Sequence, residues 1–356
     1  MGCSGSDASQ SADDTTTAGK GGSAGSGIAG GRTVSDSMAG SAEPGNGGRA
    51  GADSGADARA GVYADASGQS TSRDAAGGAP ASDGAASRDA TNSSNGDTPG
   101  MLPQATEACP PIKSGTMTFL GQAVTVWAGA PSASAHGPLV IYWHATGGVP
   151  QEAVSGLGQA AIDEITAAGG MVAAPAQTTG KGTNTGNNVW FTGDFEVADE
   201  IVACAMEQLH IDARRIYASG FSAGGLQTTW MAYARSGYLA AVVPYSGGLT
   251  GLAGVVLTPI RMPQDPSNIP AAMAVHGKAG SDVVVLDFSV QSRAYLDDVK
   301  AKGSFGIECD HGGGHMIPAN MAASTWQFLK AHPFKTKPSP YAAGLPASFP
   351  SYCKIY

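Results

Sequence analysis

Ser222 stands in the run Tyr217-Ala218-Ser219-Gly220-Phe221-Ser222-Ala223-Gly224-Gly225, where an apolar strand pattern meets a glycine-flanked serine and passes straight into a helix pattern. A free hydroxyl is a weak nucleophile, and the G-x-S-x-G string supplies the first remedy. It predicts a sharp strand-to-helix turn in which Ser222 holds a strained backbone with Oγ outward, while Gly220 and Gly224 let strand and helix pass closely. The helix that follows brings the positive end of its dipole, and the Ala223 N–H is placed where an oxyanion would form. The string alone proves little in a chain with 52 glycines among 356 residues, where about one chance match is expected. Gly21-Gly22-Ser23-Ala24-Gly25 is such a match, set in a polar low-complexity run with no strand before it and no helix after it. Only Ser222 has the context.

A serine nucleophile also needs a base and a carboxylate to orient that base, which in this arrangement follow in the chain order Ser, Asp or Glu, His. Four histidines follow Ser222: His276, His311, His315 and His332. His315 lies in Gly312-Gly313-Gly314-His315-Met316-Ile317-Pro318, where glycines allow a loop to bend the imidazole back over the serine. His311 is its rival, His276 reads as structural, and His332 falls beyond the last helix pattern. His311 and His315 at i, i+4 suit a metal only on a helix, and the three glycines between them argue against one. For the carboxylate, Asp282 is the first acid after Val275-His276-Gly277. Asp287 belongs with the next helix and Asp265 precedes the strand, so both are weaker choices. A second oxyanion N–H is expected from the turn Trp143-His144-Ala145-Thr146-Gly147-Gly148, from either Ala145 or Thr146, with His144 structural.

The elements that must position these residues alternate. Gly121 to Trp127 alternates apolar and polar like a half-buried strand, whereas Pro138 to Trp143 is a continuous apolar run, expected of a strand covered on both faces. A helix is predicted from Gln151 to Ala168, a strand over 171–176, a polar loop over 177–193 that puts Trp190 and Phe191 at risk of exposure, and a helix from Asp194 to Leu209. Strand 215–219 leads into the elbow. Beyond it come a helix to Arg235, strand 240–245, a long loop 247–269 that either lines an acyl pocket or covers the core, strand 271–275, a helix from Leu286 to Lys302, strand 305–309 and a helix from Ala319 to Lys330. Alternating strands and helices demand a mostly parallel, doubly wound sheet with ligands beyond the carboxyl ends of its strands.

Composition divides the chain unevenly. The first hundred residues contain no Leu, Phe or Trp and cannot bury enough apolar surface to fold, so 1–101 is expected to be a disordered spacer and 102–356 the globular domain. Of the net charge of −9, residues 1–100 carry −6 (12 acidic, 6 basic) and the remainder −3. No basic patch appears, so nucleic acid is not expected as a partner. No apolar run is long enough to span a bilayer. Met1-Gly2-Cys3 followed by small polar residues resembles the mature start of a bacterial lipoprotein, with Cys3 the lipidation candidate; N-myristoylation of Gly2 or a start without meaning are the alternatives. Membrane contact is expected only through such a lipid. Cys109, Cys204, Cys309 and Cys353 form an even set without C-x-x-C spacing, so disulfides are favoured over zinc and the pairing stays open.

Taken in order, the turn 142–148, Gly220-Phe221-Ser222-Ala223-Gly224-Gly225, Val275-His276-Gly277 with Asp282, and Gly313-Gly314-His315 with Pro318 resemble the polyhydroxybutyrate depolymerase and feruloyl esterase group of secreted α/β-hydrolases. The resemblance implies an α/β-hydrolase fold and a secreted or cell-surface serine esterase with the triad Ser222, Asp282 and His315, needing no cofactor or metal. Its substrate would be an extracellular ester such as a polyester or a feruloylated or acetylated polysaccharide. Trp190 lies in the loop where such enzymes often hold an aromatic near the substrate, which makes it a candidate contact. The competing readings are a serine peptidase of the same fold and a catalytically silent binding protein. A peptidase of this type usually adds a propeller or cap, for which there is little room, and a silent relative would be expected to lack a triad member.

Overall fold

The computed structural model describes residues 98–356 apart from 133, 135, 187 and 250–260. The expected spacer up to residue 97, with Cys3 and the Ser23 string, and the middle of the 247–269 loop lie outside the described residues. The chain opens with an antiparallel hairpin, β1 (Gly115–Phe119) and β2 (Gln122–Ala128). Then come β3 (Leu139–Trp143), helices α1 (Glu152–Leu157) and α2 (Gln159–Ala167), and β4 (Met171–Pro175). A small separate hairpin, β5 (Asn184–Gly186) and β6 (Trp190–Phe191), precedes α3 (Asp194–Leu209). The second half is β7 (Ile216–Phe221), α4 (Ala223–Ala234), β8 (Ala241–Tyr245), β9 (Ala271–His276), α5 (Phe288–Ala301), β10 (Gly306–Asp310), α6 (Ala322–Ala331) and β11 (Cys353–Ile355).

Among the described residues, nine strands form one sheet in the order β1-β2-β4-β3-β7-β8-β9-β10-β11. The six from β4 to β10 run parallel, and β1, β2 and β11 extend it antiparallel at the two edges. Period-2 geometry decides which helices cover which face. In β3 every residue is buried: Leu139, Ile141 and Trp143 join the core formed with α3, α4 and α5, while Val140 and Tyr142 join the core under α1, α2 and α6. Each such side chain contributes about 1.5–3 kcal/mol by leaving water, which is why a continuous apolar run, and not an alternating one, marks this strand.

Three local expectations change. The helix expected over 151–168 is two helices, because Gly158 takes φ 85° between them, and a Cβ there would sit 3.2 Å from the Ala322 Cβ of α6. The polar loop 177–193 folds into the β5–β6 hairpin over α4, and Trp190 is completely buried beside Trp143, not exposed. The strands β1 and β11 are additions to the pattern read from the sequence.

Both disulfides staple ends of the domain to its interior. Cys109 is bonded to Cys204 of α3 across 95 residues, and Cys309 of β10 to Cys353 of β11 across 44. Closing loops of that length restricts the unfolded chain by about 4–5 kcal/mol each in the chain-entropy account. Such bonds persist in oxidising surroundings. No described helix is long and apolar enough to cross a membrane.

Candidate active site

At the C-terminal end of β7 the chain turns into α4 with Ser222 at φ 56°, ψ −117°, a conformation strained for any residue with a Cβ. The strain is held by packing. The Ser222 N–H donates to Tyr245 O at 2.9 Å, tying the turn to the neighbouring strand β8. A Cβ on Gly224 would lie 1.9 Å from Trp143 O and 2.7 Å from His144 O, and one on Gly220 would lie 2.5 Å from Trp143 O. The elbow therefore presses directly against the end of β3, which brings the turn 144–148 beside it. From the other side Gly186 of β5 packs on the Ala223 backbone, where a Cβ would meet Ala223 O at 2.4 Å.

His315 reaches this serine from a loop more than ninety residues away. Its Nε2 lies 2.8 Å from Ser222 Oγ and its Nδ1 2.6 Å from Asp282 Oδ1. Asp282 is fully buried, and its second oxygen accepts from the Gly277 N–H at 2.9 Å and from Ser246 Oγ at 2.8 Å. Burial on its own would raise the Asp282 carboxyl, but the hydrogen bonds from His315, Gly277 and Ser246 outweigh it and hold its pKa below the ordinary value. The carboxylate is thus kept ionised where it can fix the imidazole tautomer. Two aromatic rings pack against the imidazole, Phe221 at 4.7 Å and Phe288 at 4.8 Å between centroids.

The loops that carry Asp282 and His315 are joined backbone to backbone. Lys278 N–H donates to Gly313 O at 2.9 Å, and His311 N–H to His276 O at 3.0 Å. Gly277 makes this approach possible, since a Cβ there would stand 2.3 Å from Gly313 O.

The other candidates are placed elsewhere. His311 faces its own loop, accepting weakly from the Gly313 N–H, and burial lowers its pKa. His276 is fully buried against Glu308, and His332 is buried between Phe328 O and Ser339 Oγ. Asp287 caps α5 by accepting from Ser289 N, while Asp265 is bonded to Ser267 and Lys335. His144 bonds Ala145 O and Ala176 O. Trp190 donates its indole N–H to His144 O at 2.8 Å and, with no exposed surface, is a packing residue of the β3 end and not a surface contact for substrate. In the turn, the Ala145 N–H donates to Glu152 Oε1 at 3.1 Å, whereas Thr146 is exposed and its N–H, like that of Ala223, meets no acceptor among the described residues. Cys3 lies outside the described residues.

Four participants escape a reading of the sequence: Ser246, Phe221, Phe288 and Glu152. Ser246 alone carries a usable signal, since it directly follows β8 and polar residues just past the carboxyl ends of parallel strands face the ligand crevice.

No protein-family model matches the sequence, and no curated protein matches it. Solved structures do. Native pOPH aligns with a TM-score of 0.56 at 18% identity, covering 70% of this chain and 96% of that chain. Native sOPH aligns with a TM-score of 0.54 at 17% identity, over 70% and 96%. A ferulic acid esterase aligns less closely, with a TM-score of 0.44 at 14% identity, over 60% and 95%. At such identities the likeness concerns architecture, and together with the strand order it establishes that this chain has the α/β-hydrolase fold.

Proposed function

We propose that this protein is a serine-dependent carboxylic ester hydrolase that works through an acyl-enzyme. The observation that carries this reading is the continuous relay from Ser222 Oγ through His315 to Asp282, at 2.8 and 2.6 Å. In the first half-reaction Ser222 Oγ attacks the ester carbonyl carbon while its proton passes to His315 Nε2, and the carbonyl electron pair moves onto oxygen. The Ala223 N–H and one N–H of the 145–146 turn receive that oxyanion. Collapse breaks the bond to the alkoxy oxygen, which leaves as the alcohol with the proton from His315. Water then attacks the acyl-enzyme by the same route, releasing the acid and restoring Ser222. Asp282 stays ionised throughout and holds Nδ1–H in place.

An apolar surface beside the relay supports an ester with apolar parts. Val283, Val284 and Val285 follow Asp282 in sequence, Val290 lies on α5 and Met316 follows His315, and all five are about half exposed. We extend the reading to an extracellular ester, such as a polyester or a feruloylated or acetylated polysaccharide, met by a protein whose disulfides suit an oxidising environment. The test is a panel of p-nitrophenyl esters, feruloyl and acetylated sugars and a polyester film, each given to the protein and to Ser222→Ala. Turnover that vanishes in Ser222→Ala, with an unchanged melting temperature, is the expected result. Turnover that survives in Ser222→Ala removes the proposal.

A further inference from the structure

The turn that follows β3 offers two backbone N–H groups to an oxyanion, and the structure treats them differently. The Ala145 N–H points at the Glu152 carboxylate, 3.1 Å away, and the same oxygen accepts from Tyr142 Oη at 3.2 Å. An N–H turned toward a carboxylate on the α1 side of the turn is not free to serve a reacting oxygen on the other side. Among the described residues the Thr146 N–H meets no acceptor, and the Ala223 N–H meets none either. Their neighbourhood is fixed by the contact of Gly224 with the carbonyls of Trp143 and His144.

We propose that Glu152 is the positioning residue of the oxyanion turn: by taking up the Ala145 N–H it sets the orientation of the next peptide, so that Thr146 is the donor that joins Ala223. The inference rests on the esterase reading and refines it. Glu152 is well placed for this work. It is the first residue of α1, and its carboxylate reaches back across the turn that leads into that helix. The turn is tight, with Gly147 at φ 71° and Gly148 N–H donating to Ala145 O at 2.9 Å, so a tie at Ala145 is passed on to the adjoining peptide with little slack. Trp190, through His144 O, holds the residue before Ala145 in the same way. Removing the carboxylate would leave the Ala145 N–H and the Tyr142 hydroxyl without their acceptor and let the turn rotate. What the Ala145 N–H and the Tyr142 hydroxyl require is an acceptor at the position of Oε1, which an amide oxygen also supplies.

The experiment compares the full chain with Glu152→Gln, Glu152→Asp and Glu152→Ala. It reads kcat and KM on p-nitrophenyl acetate and inhibition by an alkyl trifluoromethyl ketone, which adds Ser222 Oγ to its carbonyl and places an oxyanion in the hole. Gln keeps an acceptor at the same reach, and Asp keeps the charge but withdraws the acceptor by one methylene. Glu152→Ala and Glu152→Asp should lose about tenfold to a hundredfold in kcat with KM little changed, since a well-placed oxyanion donor is worth about 10²–10³. Ketone affinity should fall by a matching factor, and Glu152→Gln should keep both. The shorter carboxylate carries the test if Glu152→Ala does not fold. Wild-type kinetics in Glu152→Asp, a Glu152→Gln as poor as Glu152→Ala, or a loss confined to KM would overturn the inference while leaving the esterase reading intact. A wild-type protein that turns over no ester and is not labelled at Ser222 by a fluorophosphonate removes both.

Discussion

The two halves of the candidate site are built by opposite means. The Ser222 half is local: Gly220, Ser222 and Gly224 lie within five residues, and Ser222 takes φ 56° where strand and helix pass closely at the two glycines. The Asp282–His315 half is assembled at a distance: the two residues are 33 apart and meet because β9 and β10 are parallel neighbours, with Val275 opposite Cys309 and His276 opposite Asp310. Strain fixes the first half and register the second. Sequence motifs therefore mark the first sharply and the second only by position along the chain. The halves should also fail differently when altered.

The largest effect is expected at the joint between them. His315→Ala should lower kcat/KM on a soluble ester by about 10⁴-fold or more, as completely as Ser222→Ala, because members of such a relay act as a unit. Additive losses in the double variant would show that the halves work independently. Asp282→Asn should follow, at about 10³- to 10⁴-fold, since Ser222, His315 and the oxyanion donors remain but the useful tautomer is no longer favoured. His311→Ala and Asp287→Asn, which touch neither Ser222 nor His315, should stay within about threefold of wild type. An Asp287→Asn more damaging than Asp282→Asn would reverse the assignment of the acid.

Stability offers the next contrast. Gly224→Ala must push a methyl into Trp143 O at 1.9 Å and is expected to cost about 3 kcal/mol or more. Gly312→Ala, in the base loop at φ 74° with no neighbour within 4 Å, should cost about 1 kcal/mol. Similar denaturation midpoints for the two variants would mean that the elbow is not held by close packing. The smallest effect is the pH dependence of stability. The folded-state pKa of Asp282 is lowered, so its contribution is complete above the unfolded value of 3.8 and is lost as pH falls below that value through the folded one. The melting temperature of Asp282→Asn should accordingly fall less than that of wild type on acidification from pH 5 to 3, and an equal fall would assign the acid sensitivity to other carboxylates.

How far the sequence was legible follows the same division. The elbow, the buried run of β3 and the loop positions of Asp282 and His315 could all be read, because each depends on residue type over a few positions or on chain order. The disulfide pairing could not, since Cys309 meets Cys353 only through the antiparallel register of β10 and β11. Nor could the aromatic pair around His315, because Phe221 and Phe288 come from different elements and neither has a periodicity that points at a third residue. Trp190 read as exposed because its neighbours in sequence are polar, yet its surroundings are set by Trp143 and His144, more than forty residues earlier. The break at Gly158 was hidden by an apolar spacing that continues across it. What it accommodates is α6, an element from the far end of the chain.

The short strand β11 has a consequence beyond its size. Were the sheet to stop at β10, the strand that leads into the His315 loop would present an open row of N–H and C=O groups, a template on which a second chain can add. Three residues close that row, locked to β10 by Cys353 and by Lys354 Nζ at 2.9 Å from Glu308, with the Lys354 side chain otherwise largely in water. Loss of residues 350–356 should therefore appear first as self-association of otherwise folded molecules, and a cation on the outermost rung is the device that keeps them apart.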